Sequence, residues 1–60
     1  MKARLKHDFT NNCLRLEILQ KIILESLDKG EDIKDKLADY GEFLDYQKEL
    51  IKNILEDNQY

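Results

Sequence analysis

The sequence predicts an all-α fold, in which an antiparallel two-helix hairpin homodimerises into a four-helix bundle. The chain contains no proline, and its two glycines stand at positions 30 and 41. Leu, Ile, Glu, Lys and Asp dominate the remainder, which is a composition typical of helical proteins. A chain of 60 residues buries little apolar surface by itself. Self-association is therefore the expected way to enlarge its core.

The first predicted helix runs from about residue 2 to residue 28. At 100° per residue, its larger apolar side chains gather on one face of the helix. We expect this face to pack against the second helix. Its members are Leu5, Phe9, Cys13, Leu16, Leu19, Ile23 and Leu27.

The stretch "LDKGEDIKD", residues 27–35, predicts a single break between two helices. Gly30 can adopt the left-handed conformation that ends many helices, which places the turn at about residues 29–31. Asp32 is the expected N-cap of the next helix, with Asp35 three residues later as a weak capping box. A turn this short makes the two helices antiparallel.

The second predicted helix runs from about residue 32 to residue 57 and carries a broad apolar stripe. Gly41 lies inside it at a cost of about 1 kcal/mol, which suggests that another part of the protein packs closely there. The two stripes are wider than one hairpin can cover, so the single domain of residues 1–60 is expected to pair with a second copy. The stripe consists of Ile33, Leu37, Tyr40, Phe43, Leu44, Leu50, Ile51 and Ile54.

The charge distribution argues against nucleic-acid binding. The chain has 13 acidic and 10 basic residues; residues 1–30 carry a net charge of +2 and residues 31–60 a net charge of −5. A small RNA-binding helical bundle would need a basic exposed face, whereas the second helix is acidic. The longest apolar run is far too short to span a membrane and no signal peptide is predicted, so the expected location is cytoplasmic.

The single cysteine offers neither a disulfide nor a metal site within one chain. Cys13 has no partner cysteine, and no Cys/His cluster has the spacing of a zinc site. We expect Cys13 to behave as a small hydrophobic residue on the core face. No dedicated metal site is predicted.

The stretch "KHDFTNNCL", residues 6–14, contains the only histidine of the chain. His7 falls nearly opposite the centre of the predicted core face, next to Asp8 and one turn before Asn11. A neutral imidazole nitrogen can attack phosphorus, and a neighbouring carboxylate can orient or accept the proton of the other ring nitrogen. A carboxamide one turn away can position water for the reverse, hydrolytic direction. These three residues predict phosphoryl transfer.

Three apolar residues share the outward side of the first helix with His7. Leu14, Ile18 and Ile22 recur every four residues, where a helix facing only water should be polar. Two interpretations remain open at this point. These residues either widen the core of the bundle, or form a docking strip for another protein.

The pentapeptide "HDFTN", His7 to Asn11, resembles the H-box of sensor histidine kinases. The aromatic residue at the third position and the following "NCL" look most like the sporulation-phosphotransferase and citrate-sensor branches of that superfamily. The resemblance implies a dimerisation and histidine-phosphotransfer domain, in which two helical hairpins form a four-helix bundle. The common H-box has a proline where this chain has Asn12, so a proline-bent helix is not implied.

The resemblance also implies roles for individual residues. His7 would accept the phosphoryl group, Asp8 would act as general base, and Asn11 would orient water during dephosphorylation. The expected partner is the receiver domain of a response regulator, whose aspartate takes the phosphoryl group. Its acidic magnesium pocket would meet the basic residues before His7, and its surface would dock on the apolar strip. The expected partner-binding residues are Leu14, Ile18, Ile22 and Arg4, with Lys2 and Lys6 beside Arg4.

No segment of this chain resembles the ATP-binding domain of a histidine kinase. The chain is therefore expected to bind no cofactor and to lack autokinase activity; an ATP-binding kinase domain, in cis or in trans, would supply ATP and magnesium. Both a fragment of a kinase and a free-standing phosphotransferase fit this expectation, and whether the chain alone is an enzyme stays open. The alternative is a non-catalytic hairpin dimer that acts as a protein-interaction or inhibitory module. Such a module would tolerate His7→Gln.

Overall fold

The computed structural model describes residues 2–58, which form two α-helices packed against each other. Helix α1 spans Ala3–Asp28 and helix α2 spans Lys34–Asn58. Together they form a rod with extents of 48 × 15 × 12 Å. No strand occurs among the described residues, so the predicted all-α hairpin is confirmed. Within the same range, neither helix has an apolar stretch long enough to cross a lipid bilayer.

The two helices are antiparallel along their whole length. Near the turn, the Lys36 Nζ donates a hydrogen bond of 2.8 Å to the Ser26 hydroxyl. At the opposite end, the backbone N–H of Lys2 donates to a carboxylate oxygen of Asp57 at 3.2 Å. Each α1 residue is therefore paired with an α2 residue that lies about the same number of residues after Gly30 as the α1 residue lies before it. We refer to the end with Lys2 and Asp57 as the open end.

The turn depends on the conformation that the sequence predicts for Gly30. Gly30 has a φ of 70°, a value that residues with a Cβ adopt at a cost. The Glu31 N–H donates to the Ser26 carbonyl at 2.9 Å and the Gly30 N–H donates to the Leu27 carbonyl at 3.1 Å. This pair of bonds is a Schellman motif, which satisfies carbonyls that the end of α1 would otherwise leave free.

Helix α2 begins two residues later than the sequence predicts. The Leu37 N–H donates to the Ile33 carbonyl at 2.8 Å, so Ile33 occupies the capping position that was expected at Asp32. The Asp32 carboxylate instead accepts the N–H of Lys34 at 3.0 Å. Asp32 thereby satisfies a backbone N–H of the first turn of α2, although it lies one residue before the capping position. Asp35 places a second carboxylate in the first turn, where the helix dipole favours negative charge.

The contact between the helices follows a seven-residue repeat. Seam positions alternate spacings of three and four residues, as in coiled coils, and every seam side chain is buried or half-buried. Among the described hydrophobic residues, only Leu16, Ile23 and Leu50 are buried, with 9%, 8% and 3% of their surface exposed. The seam consists of Leu5, Phe9, Asn12, Leu16, Leu19, Ile23 and Ser26 on α1, and of Ile33, Lys36, Tyr40, Phe43, Gln47, Leu50 and Ile54 on α2.

Two residues of the predicted α1 core face do not belong to the seam. Cys13 is only half-buried at its edge, and Leu27 keeps 54% of its surface exposed. Asn12 and Ser26, 1% and 3% exposed, occupy the neighbouring seam positions instead. A helical wheel that counts only apolar residues omits both, because they are polar. In addition, the face of a straight helix drifts by about 20° per heptad relative to a seam with a seven-residue repeat.

The predicted α2 stripe divides into two parts. One part packs in the seam, while the other lies on the side of the helix and stays uncovered. The apolar surface is therefore wider than one hairpin covers, as the sequence predicts. The uncovered members are Leu37, Leu44 and Ile51, which are 47%, 39% and 43% exposed.

A polar network interrupts the apolar seam. The Asn12 Nδ2 donates to the Phe43 carbonyl at 3.0 Å and to the Gln47 Oε1 at 2.7 Å. The Gln47 Nε2 in turn donates to the Cys13 Sγ at 3.1 Å. The Asn12 Oδ1 is buried without a hydrogen-bond partner, which costs about 1–3 kcal/mol. This part of the seam is therefore less stable than an apolar one would be.

Replacing Gly41 by alanine is expected to stabilise the hairpin. Within the hairpin nothing packs closely at Gly41, because an added Cβ meets no atom within 4 Å; close packing by a second copy stays a prediction. The substitution should raise the free energy of unfolding by about 1 kcal/mol and the Tm by about 4–8 °C, as measured by circular dichroism. Gly30→Ala is the matched control, expected to lower the Tm because of the positive φ. A lower Tm for Gly41→Ala would contradict the prediction.

Candidate functional site

His7 lies on the second turn of α1, near the open end, and its side chain is exposed. One helical turn later, the Asn11 Nδ2 lies 3.1 Å from the His7 Nε2. Residues four apart are neighbours on a helix surface, and both side chains point away from the seam into solvent. The structure thus brings together two of the three residues that the sequence predicts for the site.

The hydrogen bond between Asn11 and His7 constrains the chemistry of the ring. With the amide N–H donating, Nε2 is the acceptor, and a neutral imidazole carries its proton on Nδ1. The lone pair of Nε2 is the electron pair that would attack an electrophile. The Asn11 amide must therefore release Nε2 before this nitrogen reacts, while Nδ1–H stays free to donate to another group.

Asp8 is separated from the imidazole. Its half-buried side chain turns towards the second helix, where it lines an open cleft of about 620 Å³ together with Tyr46 and Asn53. Among the described residues no hydrogen bond or ion pair joins Asp8 to His7. Consecutive residues point about 100° apart on a helix. This separation explains why adjacency in the sequence does not become contact here.

The basic residues ahead of His7 do not form one continuous stripe. Lys2, Arg4 and Lys6 are all exposed, but Lys2 and Arg4 line the same open cleft as Asp8. The cleft also contains Glu49 from α2. Arg4 therefore lies in a mixed environment of cations and carboxylates beside the seam.

The apolar strip is exposed and takes no part in the core of the hairpin. Leu14, Ile18 and Ile22 keep 53%, 58% and 38% of their surface accessible. They are therefore not part of the core of one hairpin, and both interpretations of the strip, a wider bundle core and a docking strip, stay predictions. The strip begins two turns after His7 and continues along the same helix towards the turn.

The cleft beside the site contains residues of α2 that the motif "HDFTN" on α1 does not predict. Tyr46 is 45% exposed and faces Asp8 from the second helix, near Asn53. A motif within α1 carries no information on what α2 brings alongside it. Pairing the residues symmetrically about Gly30 does identify Asn53 as the residue across from His7, and this is the available sequence signal.

The described part of the chain contains no group of three or more His, Cys, Asp or Glu side chains placed to hold a metal ion. The site itself combines an exposed imidazole, an amide bonded to it, a carboxylate in the adjacent cleft and a neighbouring apolar strip. Such a set can transfer a group through the imidazole or dock a partner without chemistry. Comparison of this chain with protein-family models, with curated proteins and with solved structures found no match.

Proposed function

We propose that this chain is a histidine phosphotransfer module of a two-component signalling system, acting in the cytoplasm. His7 carries a phosphoryl group and passes it to an aspartate on the receiver domain of a response regulator. The observation that carries the proposal is the exposed imidazole whose Nε2 contacts the Asn11 amide one turn away. The resemblance of "HDFTN" to an H-box supports it independently of the geometry.

The proposed transfer begins when the Asn11 amide rotates away from Nε2. The Nε2 lone pair attacks phosphorus, either of ATP held by a separate kinase domain or of an acyl phosphate on a receiver. The P–O bond to the leaving group breaks as the N–P bond forms, and the ring then loses its Nδ1 proton to a base. Magnesium and ATP belong to the partner domains, which use them to neutralise the phosphate charge.

Asn11 and Asp8 have different parts in this proposal. The Asn11 amide lies close enough to the reacting nitrogen to orient a water molecule for hydrolysis of the phosphoryl group. Asp8 reaches Nδ1 only after its side chain leaves the cleft. Its role as general base therefore requires a rotation of the Asp8 side chain.

The exposed strip of Leu14, Ile18 and Ile22 is the proposed docking surface for the receiver domain. A receiver seated there would cover apolar side chains within two to four helical turns of His7. Arg4 is the proposed polar contact at the open end. We also propose that two hairpins associate as a four-helix bundle, because the apolar surface exceeds what one hairpin covers.

Phosphotransfer to His7 is tested by supplying a phosphoryl donor. The purified chain is mixed with a phosphorylated receiver domain, or with a kinase catalytic domain and labelled ATP, and acid-labile, alkali-stable phosphate is measured. We expect the wild-type chain to take up label and His7→Gln to lose it completely, while its helix content by circular dichroism is unchanged. Asn11→Ala is the matched control, since it removes the neighbouring amide and should retain the label.

The second candidate function is that of a non-catalytic interaction or inhibitory module. It is favoured by the separation of Asp8 from His7 and by the exposure of the apolar strip. In that case a receiver or kinase domain would bind the wild-type chain and His7→Gln equally, and no donor would label either. Absence of label with every donor would overturn phosphotransfer and leave this alternative.

A further inference from the structure

The hairpin exposes more surface than a compact protein of its mass. Its accessible surface is 4926 Å², whereas a folded monomer of 7.2 kDa is expected to expose about 4,100 Å². The excess of about 800 Å² is close to what one partner contributes to a standard protein–protein interface. A single layer of two helices causes this excess, because each helix has only one neighbour.

Uncovered apolar residues are concentrated on one side of the seam, which we name the apolar face. A groove of about 220 Å³ between Leu24 and Leu37 shows that these residues of α1 and α2 lie on the same side. On α2, residues at spacings of four and three continue this side along the helix, with Gly41 among them. The large side chains of the apolar face are Leu24, Leu27, Leu37, Leu44, Ile51 and Leu55, which are 39–62% exposed.

The other side of the seam carries Ile18 and Ile22 of the strip on α1, but its α2 half is acidic, and we name it the acidic face. Tyr46, Glu49 and Asn53 line the open cleft there, and Arg15 lies over the Phe43 ring at 5.8 Å from its centroid. Along α2, the positions on this side follow one another at spacings of four and three residues, and most of them are acidic. The acidic residues of this face are Asp35, Asp39, Glu42, Glu49 and Glu56.

Charge decides which side a second copy can cover. Two acidic faces brought together would oppose two rows of carboxylates, and like charges repel most strongly where water is excluded. By the same spacing, the apolar face carries Lys34 and Lys48 on α2 and Lys6 and Glu17 on α1. Its charges are of mixed sign, and its self-association removes leucine and isoleucine surface from water.

We propose that a second copy of this chain packs on the apolar face and closes a four-helix bundle. The proposal rests on the two-copy assembly proposed above and does not depend on phosphotransfer at His7. His7 lies about 100° around α1 from Leu24, counted at 100° per residue, and therefore stays accessible in the bundle. The strip of Leu14, Ile18 and Ile22 also remains uncovered, which leaves it for a different protein.

The test compares two lysine substitutions at positions of equal exposure. Leu44 on the apolar face is 39% exposed, and Ile22 on the strip is 38% exposed. By sedimentation equilibrium, we expect wild type and Ile22→Lys to dimerise equally. Leu44→Lys should weaken dimerisation more than about tenfold, because each dimer loses two buried leucines.

A second matched pair keeps the test decisive if Leu44→Lys fails to fold by circular dichroism. Leu55 on the apolar face is 60% exposed and Ile18 on the strip is 58% exposed. Leu55→Lys should dissociate the dimer and Ile18→Lys should not. The reverse pattern in either pair, or a wild-type chain that is monomeric at every concentration, would overturn the proposal. Loss of phosphotransfer with dimerisation intact would instead refute only the function.

Discussion

Replacing Leu50 by alanine is expected to cost about 2–5 kcal/mol of the free energy of unfolding. Leu50 is 3% exposed and is the most enclosed large hydrophobic residue among those described. Folding enthalpy and core size scale with chain length, and small domains have only a few kcal/mol of net stability. A loss of this size would therefore leave much of the population unfolded at room temperature. Urea unfolding followed by circular dichroism measures it.

The matched control for Leu50→Ala is a truncation outside the seam. Ile18 is 58% exposed, and Ile18→Ala removes apolar surface that packs on nothing within the hairpin. Its effect on unfolding should stay within about 0.5 kcal/mol. Equal destabilisation by the two substitutions would show that the seam does not hold the hairpin together.

Replacing both Asn12 and Gln47 by leucine is expected to stabilise the hairpin by about 1–3 kcal/mol. The double substitution removes the unpartnered Oδ1 of Asn12 together with the side chain that accepts its amide. Replacement of both members of a buried polar pair by apolar groups is often stabilising, because no orphaned group remains. The midpoint of urea denaturation should rise accordingly.

Gln47→Leu alone is the informative comparison for the polar pair. It leaves Asn12 buried with one amide hydrogen unpaired, so it should lower stability by about 1 kcal/mol. Measuring Asn12→Leu as well completes the double-mutant cycle, and the three results together give the coupling energy between the side chains. If the double variant is less stable than wild type, the network contributes net stability. Buried polar residues often fix helix register, so the double variant should also lose a single well-dispersed amide NMR spectrum.

The helices and their turn follow from features that act locally. Gly30 needs no knowledge of the rest of the chain to end α1, because its backbone alone permits the left-handed conformation. The seam itself was predicted less well. Asn12 and Ser26 occupy it although they are polar. The seven-residue repeat and the geometry of the helix determine which positions face the other helix, whatever the polarity of the residues there. An apolar wheel therefore shifted the α1 face towards Cys13.

From the sequence, only the part of the candidate site that lies within one turn of α1 was predictable. The pair of His7 and Asn11 follows from four-residue spacing, and the structure brings their side chains together. The position of Asp8 depends on the space that α2 leaves beside the seam, where Tyr46 and Asn53 line the cleft. Contacts across the seam depend on the rotation of both helices, which a motif within α1 does not specify.

The symmetric pairing about Gly30 has a consequence for folding order. Contacts next to the turn close a short loop, and each further pair extends that loop by only a few residues, so its entropy cost grows slowly. The helices should therefore zip from the Schellman turn outward, and the bond between Lys2 and Asp57 should form last. Opening runs in the reverse order and begins at the open end. His7, which is already exposed in the closed hairpin, is thus carried by the segment that unzips first, and opening of this segment leaves the turn undisturbed.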